Sequence, residues 1–238
     1  MITALANPQR FLAFSRWAAP LSGAIAAVLL TAGLWRAFAV PPDYQQGETV
    51  RILFAHVPAA EMSLFAYACL AGASFFGLVF RHALADAAAR AAAPLAAGFA
   101  ALALITGSFW AKPMWGAWWV WDPRLTSELI LLLFLLGYMA LQVAIEDEAK
   151  ADRACAILAL VGAINLPIIH YSVVWWNSLH QGESIFTRNG PLVAGVYLWP
   201  WGLMTFGYIF LFGSLWLVRT RAEIWRRRAR SLALRAAA

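Results

Sequence analysis

The chain has 238 residues, of which 63% are hydrophobic and 13% charged, with a formal net charge of +6. An ordinary soluble domain carries roughly 25% charged residues, so that class is excluded. Runs such as Leu21 to Leu34, Ala91 to Ile105 and Leu129 to Ala144 contain no charge at all. Repeated apolar segments of this kind point to membrane-spanning helices, each needing about 20 residues.

In chain order, six spans are predicted, at about 17–39, 52–80, 92–110, 127–145, 154–174 and 195–218. The second and last exceed what a bilayer core of about 30 Å requires, so tilt or extension beyond it is expected. Ala37-Phe38-Ala39 imitates a signal cleavage site, but the apolar stretch before it is longer than a signal h-region, and an uncleaved first span is expected. No internal repeat or low-complexity linker is visible. The expected fold class is all-α: a polytopic membrane protein with six transmembrane helices in one bundle, a single integral domain over residues 1–238, and a tryptophan-rich external loop.

Lys and Arg set the orientation. With both termini inside, thirteen of these residues face the cytoplasm and five (Arg36, Arg51, Lys112, Arg124 and Arg188) face out. The positive-inside rule favours that topology. The tail at 219–238, "RTRAEIWRRRARSLALR" and onward, reads as a basic cytoplasmic segment lying on anionic lipid, in preference to a nucleic-acid patch. Cys69 and Cys155 fall within spans and read as small buried apolar residues.

"KPMWGAWWVWDPRLTSE", residues 112–128, then lies between spans three and four on the non-cytoplasmic side, with Trp115, Trp118, Trp119 and Trp121 inside seven positions. Ten of the thirteen tryptophans fall toward that face, leaving Trp17, Trp216 and Trp225 inside. An interfacial aromatic belt should populate both sides. A specialised aromatic platform, an interfacial anchor and plain packing all stay open on this reading.

Four histidines occur. His82, at the inner end of span two, reads as solvated or in contact with lipid headgroups. His56, in "FAHVPAAEM", and His180, in "WWNSLHQGES", flank the tryptophan loop on the outer face, and His170 lies deeper in span five. Two imidazoles beside a broad aromatic surface suit a flat, apolar, metal-containing ligand. Haem meets that description, since neutral imidazole ligates its iron and aromatic faces cover the macrocycle. Its propionates would need cations, and Arg124 offers a planar fork that matches a carboxylate. Asp122 could pair with Arg124, cap the following helix, or orient a ligating imidazole. Glu61 could serve a function or simply reach water.

"WGAWWVWDPRLT" resembles the WWD motif, W-G-x-x-W-x-W-D-x-R-L-T, of membrane haem-handling proteins of cytochrome c biogenesis. Trp115, Gly116, Trp119, Trp121, Asp122, Arg124, Leu125 and Thr126 occupy every specified position. With "AHVPAA" early and "NLPIIHYSVVWWNSLHQG" late, the chain is similar over nearly its whole length to the cytochrome c maturation protein C (haem exporter protein C) family. The resemblance implies a bacterial inner-membrane protein that binds haem b on the periplasmic face. His56 and His180 would be the axial ligands, and Trp115, Gly116, Trp118, Trp119, Trp121, Asp122 and Arg124 the surrounding surface. It further implies transfer to a membrane-tethered periplasmic haem chaperone. The partners would be an ABC-type ATPase and permease pair and a small single-span subunit. The sequence holds no G-x-x-x-x-G-K-[ST] motif to power transport, so a carrier and not an enzyme is expected.

Two other classes compete. A b-type electron-transfer subunit would place several histidines inside the spans, and only His170 is clearly there. A haem-transporting permease would line a path through both halves, yet the inner half is mostly Ala, Leu, Gly and Phe.

Overall fold

The computed structural model describes residues 7–182, 188 and 190–236, and the last two residues of the predicted tail lie outside them. Regular structure among the described residues is helical, apart from one isolated bridge between Asp43 and Gly47. The elements are α1 (Pro8–Ala39), a 3-10 turn (Glu48–Ile52), α2 (Leu53–Phe80), α3 (Ala83–Trp115), α4 (Pro123–Ala144), α5 (Glu148–Ala163), α6 (Asn165–Trp175) and α7 (Gly195–Ala236). They form six helical segments long and apolar enough to cross a membrane, α5 and α6 together making the fifth.

The helices run further than the hydropathy suggests, because capping residues and not the end of the apolar run fix their ends. α1 begins at Pro8, where the Asn7 side chain accepts from Gln9 N at 2.8 Å. Pro at the first position costs nothing, since its missing N–H would be unpaired there anyway. α3 begins at Ala83, not near residue 92. His82 Nδ1 accepts from Ala85 N at 3.2 Å, so this histidine, expected to be solvated or at the headgroups, is a helix cap. Arg81 takes the left-handed conformation (φ 51°) between α2 and α3, so the chain reverses within two residues.

The fifth span is broken at Ile164, a break that its continuous apolar run does not reveal. Pro167 offers no N–H to the Ala163 carbonyl and crowds it, which interrupts the helix. Asn165 occupies the break and donates to the Ser127 carbonyl at 2.8 Å, tying α6 to the first turns of α4.

Small residues set the packing. Ala59, Ala66, Ala92, Ala93, Ala96 and Ala100 are fully buried where α2 meets α3. With lipid as the alternative solvent, close backbone approach and interhelical hydrogen bonds hold such helices together. α1 lies along α7 in the same way. Ser22 donates to the Phe210 carbonyl at 2.7 Å and Ser214 to that of Ala19 at 2.8 Å. A Cβ on Gly207 would stand 2.6 Å from Leu30 Cδ2.

The two ends of the bundle differ. At the end carrying residues 81–82, 145–147 and the C-terminal half of α7, the basic tail is a helix continuing to Ala236, not a free segment. Arg227 meets Asp152 at 2.9 Å and Glu223 at 2.8 Å, and Arg226 is bound by Glu223 and Glu148. Arg90 lies 3.7 Å from Glu223 and 3.9 Å from both Glu148 and Asp152. Part of the basic charge therefore fastens α3, α5 and α7 together. The opposite end carries residues 40–52, 116–122 and 176–182, and the candidate site lies there.

Candidate functional site

α3 ends at Trp115 because Gly116 turns the chain with φ 77°, and its N–H bonds the Lys112 carbonyl at 3.0 Å. This left-handed C-cap suits glycine, which bears no Cβ penalty. The chain then crosses residues 117–121 and re-enters helix at Pro123, capped by Asp122. Asp122 Oδ1 accepts from Leu125 N at 2.8 Å, and Oδ2 accepts from His180 Nδ1 at 2.9 Å. Ser178 also donates its hydroxyl to Oδ2 and accepts from His180 N at 3.1 Å. Two roles that the sequence leaves as alternatives for Asp122, capping and orienting an imidazole, are thus carried at once by its two oxygens.

Burial would raise the Asp122 carboxyl, but the hydrogen bonds from Leu125, Ser178 and His180 outweigh it and hold it below its ordinary value. Burial pushes the His180 imidazole below its ordinary value, a shift that Asp122 only partly offsets. Burial thus favours the neutral form of His180, the form in which an imidazole can ligate a metal.

His56 comes from the first turns of α2. Its Nδ1 lies 3.0 Å from the Ala103 carbonyl and 3.2 Å from Thr106 Oγ1. A carbonyl can only accept, so Nδ1 carries the hydrogen and the lone pair is on Nε2. The same logic applies to His180 against a carboxylate. Gly107 makes room for the His56 ring, since a Cβ there would stand 2.9 Å from Cε1.

Both histidines line one cavity of about 520 Å³, within the roughly 300–1,000 Å³ typical of ligand pockets. Trp115 meets His180 edge-on with centroids 4.9 Å apart, and Trp110 meets His56 likewise at 5.6 Å. Trp110 Nε1 is fixed by Gln46 Oε1 at 2.9 Å. Arg124 and His170 also line the cavity, and Arg124 Nη2 donates to the His170 carbonyl at 3.1 Å.

The site thus gathers His56, His180, Trp115, Asp122 and Arg124 from the sequence expectation. Trp118, Trp119 and Trp121 lie outside the cavity lining. Trp118 stands against Phe109 at 5.6 Å, Trp119 against Trp121 at 5.5 Å, and Trp121 is 76% exposed. Gly116 acts through its backbone. Of the other cations expected on the outer face, Arg51 pairs with Glu48 at 2.8 Å and Lys112 donates to the Gly116 carbonyl at 3.0 Å. Neither lines the cavity, nor does Arg188.

Sequence reasoning missed Trp110, Thr106, Gly107, Ser178 and Glu128. Trp110 lies little more than one turn before Trp115 on α3, so a helix extended past residue 110 would have flagged it. Glu61 and Glu128 line the deeper wall, where Glu61 Oε2 accepts from Thr205 at 3.1 Å.

These residues fit a haem. Two imidazoles with their hydrogen on Nδ1 could offer Nε2 to the iron, the indoles would give apolar walls, and Arg124 a cation. Among the described residues no three His, Cys, Asp or Glu side chains gather as a metal-ion site. Axial ligation needs only two, the macrocycle providing the remaining donors.

Comparison with known proteins covers nearly the whole chain. The sequence matches the family described as Heme exporter protein C (CcmC) over residues 1–235. It is 51% identical over 228 residues to Heme exporter protein C of Bradyrhizobium diazoefficiens, covering 96% of this chain and 87% of that one. It is 46% identical over 219 residues to that of Escherichia coli K12, covering 91% and 88%. To that of Paracoccus denitrificans it is 46% identical over 231 residues, covering 97% and 96%. The chain belongs to the heme exporter protein C family.

Proposed function

We propose that this protein holds haem b at the periplasmic face of the bacterial inner membrane and presents it to a membrane-tethered periplasmic haem chaperone, for export and delivery in c-type cytochrome biogenesis. The observation that carries this reading is the pair His56 and His180. They come from different segments, line one cavity and both keep their hydrogen on Nδ1. Haem is cargo here, and the chain's work is binding and release. His56 and His180 hold the iron through Nε2, Trp110 and Trp115 shield the ring from water, and Arg124 takes a propionate.

Trp118 and Trp121 stand outside the cavity on the same loop and form the surface that a chaperone meets. Energy for the cycle comes from an ABC-type ATPase and permease pair, assembled with a small single-span subunit. Both termini are cytoplasmic, and the arginines of α7 not engaged by Glu148, Asp152 and Glu223 face anionic lipid. A b-type electron-transfer role fits less well, because the histidines open to the loops at one end and do not bracket the middle of the bundle.

The test is a visible spectrum of the purified protein with added haem. A low-spin six-coordinate spectrum is expected for the wild type, altered or lost in both His56→Ala and His180→Ala. An unchanged spectrum in both variants overturns the ligand assignment.

A further inference from the structure

The two imidazoles are fastened by different chemistry. His180 Nδ1–H points at a carboxylate, Asp122 Oδ2, at 2.9 Å. His56 Nδ1–H is shared between two neutral acceptors, the Ala103 carbonyl at 3.0 Å and the Thr106 hydroxyl oxygen at 3.2 Å. Thr106 donates its own hydrogen to the Leu102 carbonyl at 2.6 Å, which leaves a lone pair for His56. A charged acceptor draws the N–H proton more strongly than a neutral one and so makes the opposite nitrogen a better donor to a metal. The carboxylate is aimed by Leu125 N and Ser178, so the effect on His180 is fixed in place.

We infer that the two axial positions are inequivalent: the Asp122–His180 pair makes the lasting bond to iron, and His56 is the exchangeable ligand, with Thr106 as a positioning residue that sets how easily it leaves. This rests on the haem-ligation reading above. In the exchange the Fe–Nε2 bond to His56 breaks and one bond to the entering ligand forms. The His56 imidazole departs neutral with its Nδ1–H still on Ala103, so no proton or electron is consumed. A complex held by two equally strong ligands would resist handover. One strong and one weaker ligand lets an incoming donor bind while the cargo stays attached.

The experiment uses full-length protein in detergent, loaded with haem, reduced and titrated with carbon monoxide, which replaces one axial ligand. The vibrational frequencies of the bound carbon monoxide report the ligand remaining opposite. Asp122→Asn is expected to shift these frequencies and to weaken haem binding about 10–100-fold, the usual effect of losing such an outer partner. Thr106→Val is expected to leave the frequencies unchanged and to raise carbon monoxide affinity about 2- to 10-fold, as one neutral hydrogen bond would. The reverse pattern, frequencies following Thr106→Val and indifferent to Asp122→Asn, overturns the assignment. If Asp122→Asn does not accumulate, Ser178→Ala removes a competing donor from the same carboxylate oxygen, strengthens its pull on His180 Nδ1–H and is expected to shift the frequencies the opposite way; frequencies unmoved by it overturn the assignment. Wild-type protein lacking a six-coordinate spectrum before carbon monoxide is added would overturn the ligation reading itself, and this inference with it.

Discussion

Asp122 joins two structural tasks in one side chain: Oδ1 caps α4 through Leu125 N at 2.8 Å, and Oδ2 receives the His180 imidazole at 2.9 Å. The cap fixes the carboxylate relative to a helix, and the helix thereby fixes an imidazole that belongs to a loop. Substitution can separate the tasks. Asp122→Ser keeps a good N-cap but is too short to reach His180, whereas Asp122→Ala removes the cap together with the bonds from His180 and Ser178. We expect Asp122→Ser to unfold at nearly the wild-type temperature while haem content falls about 10-fold or more. Asp122→Ala should lose a further ~1 kcal/mol of stability. Thermal unfolding in detergent beside a haem assay checks both, and equal stability of the two variants would contradict the capping role.

Gly107 tests the other histidine without disturbing the fold. It lies within α3, where alanine is favoured over glycine by up to about 1 kcal/mol. The added methyl would nevertheless stand 2.9 Å from His56 Cε1 and displace the ring. Gly107→Ala is therefore expected to unfold at or above the wild-type temperature while losing haem. Retained haem with an unaltered spectrum would show that His56 has room to move aside.

The end of the bundle that carries Arg90 and Glu223 makes a prediction about stability alone. Glu223 is only 8% exposed and accepts from Arg226 and Arg227, with Arg90 3.7 Å away. Glu223→Ala leaves three guanidinium groups with less compensation in a partly dehydrated place. We expect a loss on the order of 3 kcal/mol, as for breaking a buried ion pair from one side. Detergent-unfolding midpoints measure this, and the haem spectrum, set by the far end of the bundle, should not change.

Much of this arrangement is readable from sequence because membrane helices announce themselves by length and apolar content. Six spans follow from that alone, and His56, His180, Asp122 and Arg124 follow from their common place on one face plus the motif. Helix ends are less legible. Caps such as Asn7 and His82 extend α1 and α3 through polar residues that a hydropathy reading discards. The break at Ile164 depends on one proline and on Asn165 finding the Ser127 carbonyl, a partner 38 residues away. Thr106 and Gly107 could not be recognised as site residues, since neither has a side chain suggestive of haem. Only the packing of α3 against α2 brings them to the His56 ring.

The tryptophans divide into two groups that mutation can tell apart. Trp110 and Trp115 line the cavity and meet His56 and His180 at 5.6 and 4.9 Å. Trp118 and Trp121 lie outside it, 53% and 76% exposed, where neither can cover a ligand held between the histidines. Removing an indole from the cavity exposes apolar ligand surface and loosens an imidazole, so Trp110→Ala and Trp115→Ala should lower haem content several-fold and broaden the spectrum. Deleting one aromatic ring from such a wall, with the apolar area it covers, costs about 1–3 kcal/mol, or roughly 5- to 150-fold in affinity. Trp118→Ala and Trp121→Ala should keep both haem content and spectrum, and slow transfer to a chaperone supplied in excess. Haem content by pyridine assay and transfer by spectral change on mixing measure the two effects separately. Equal haem loss in all four variants would mean that the whole loop closes over the ligand; unimpaired transfer by Trp118→Ala and Trp121→Ala would remove the docking role from their exposed rings.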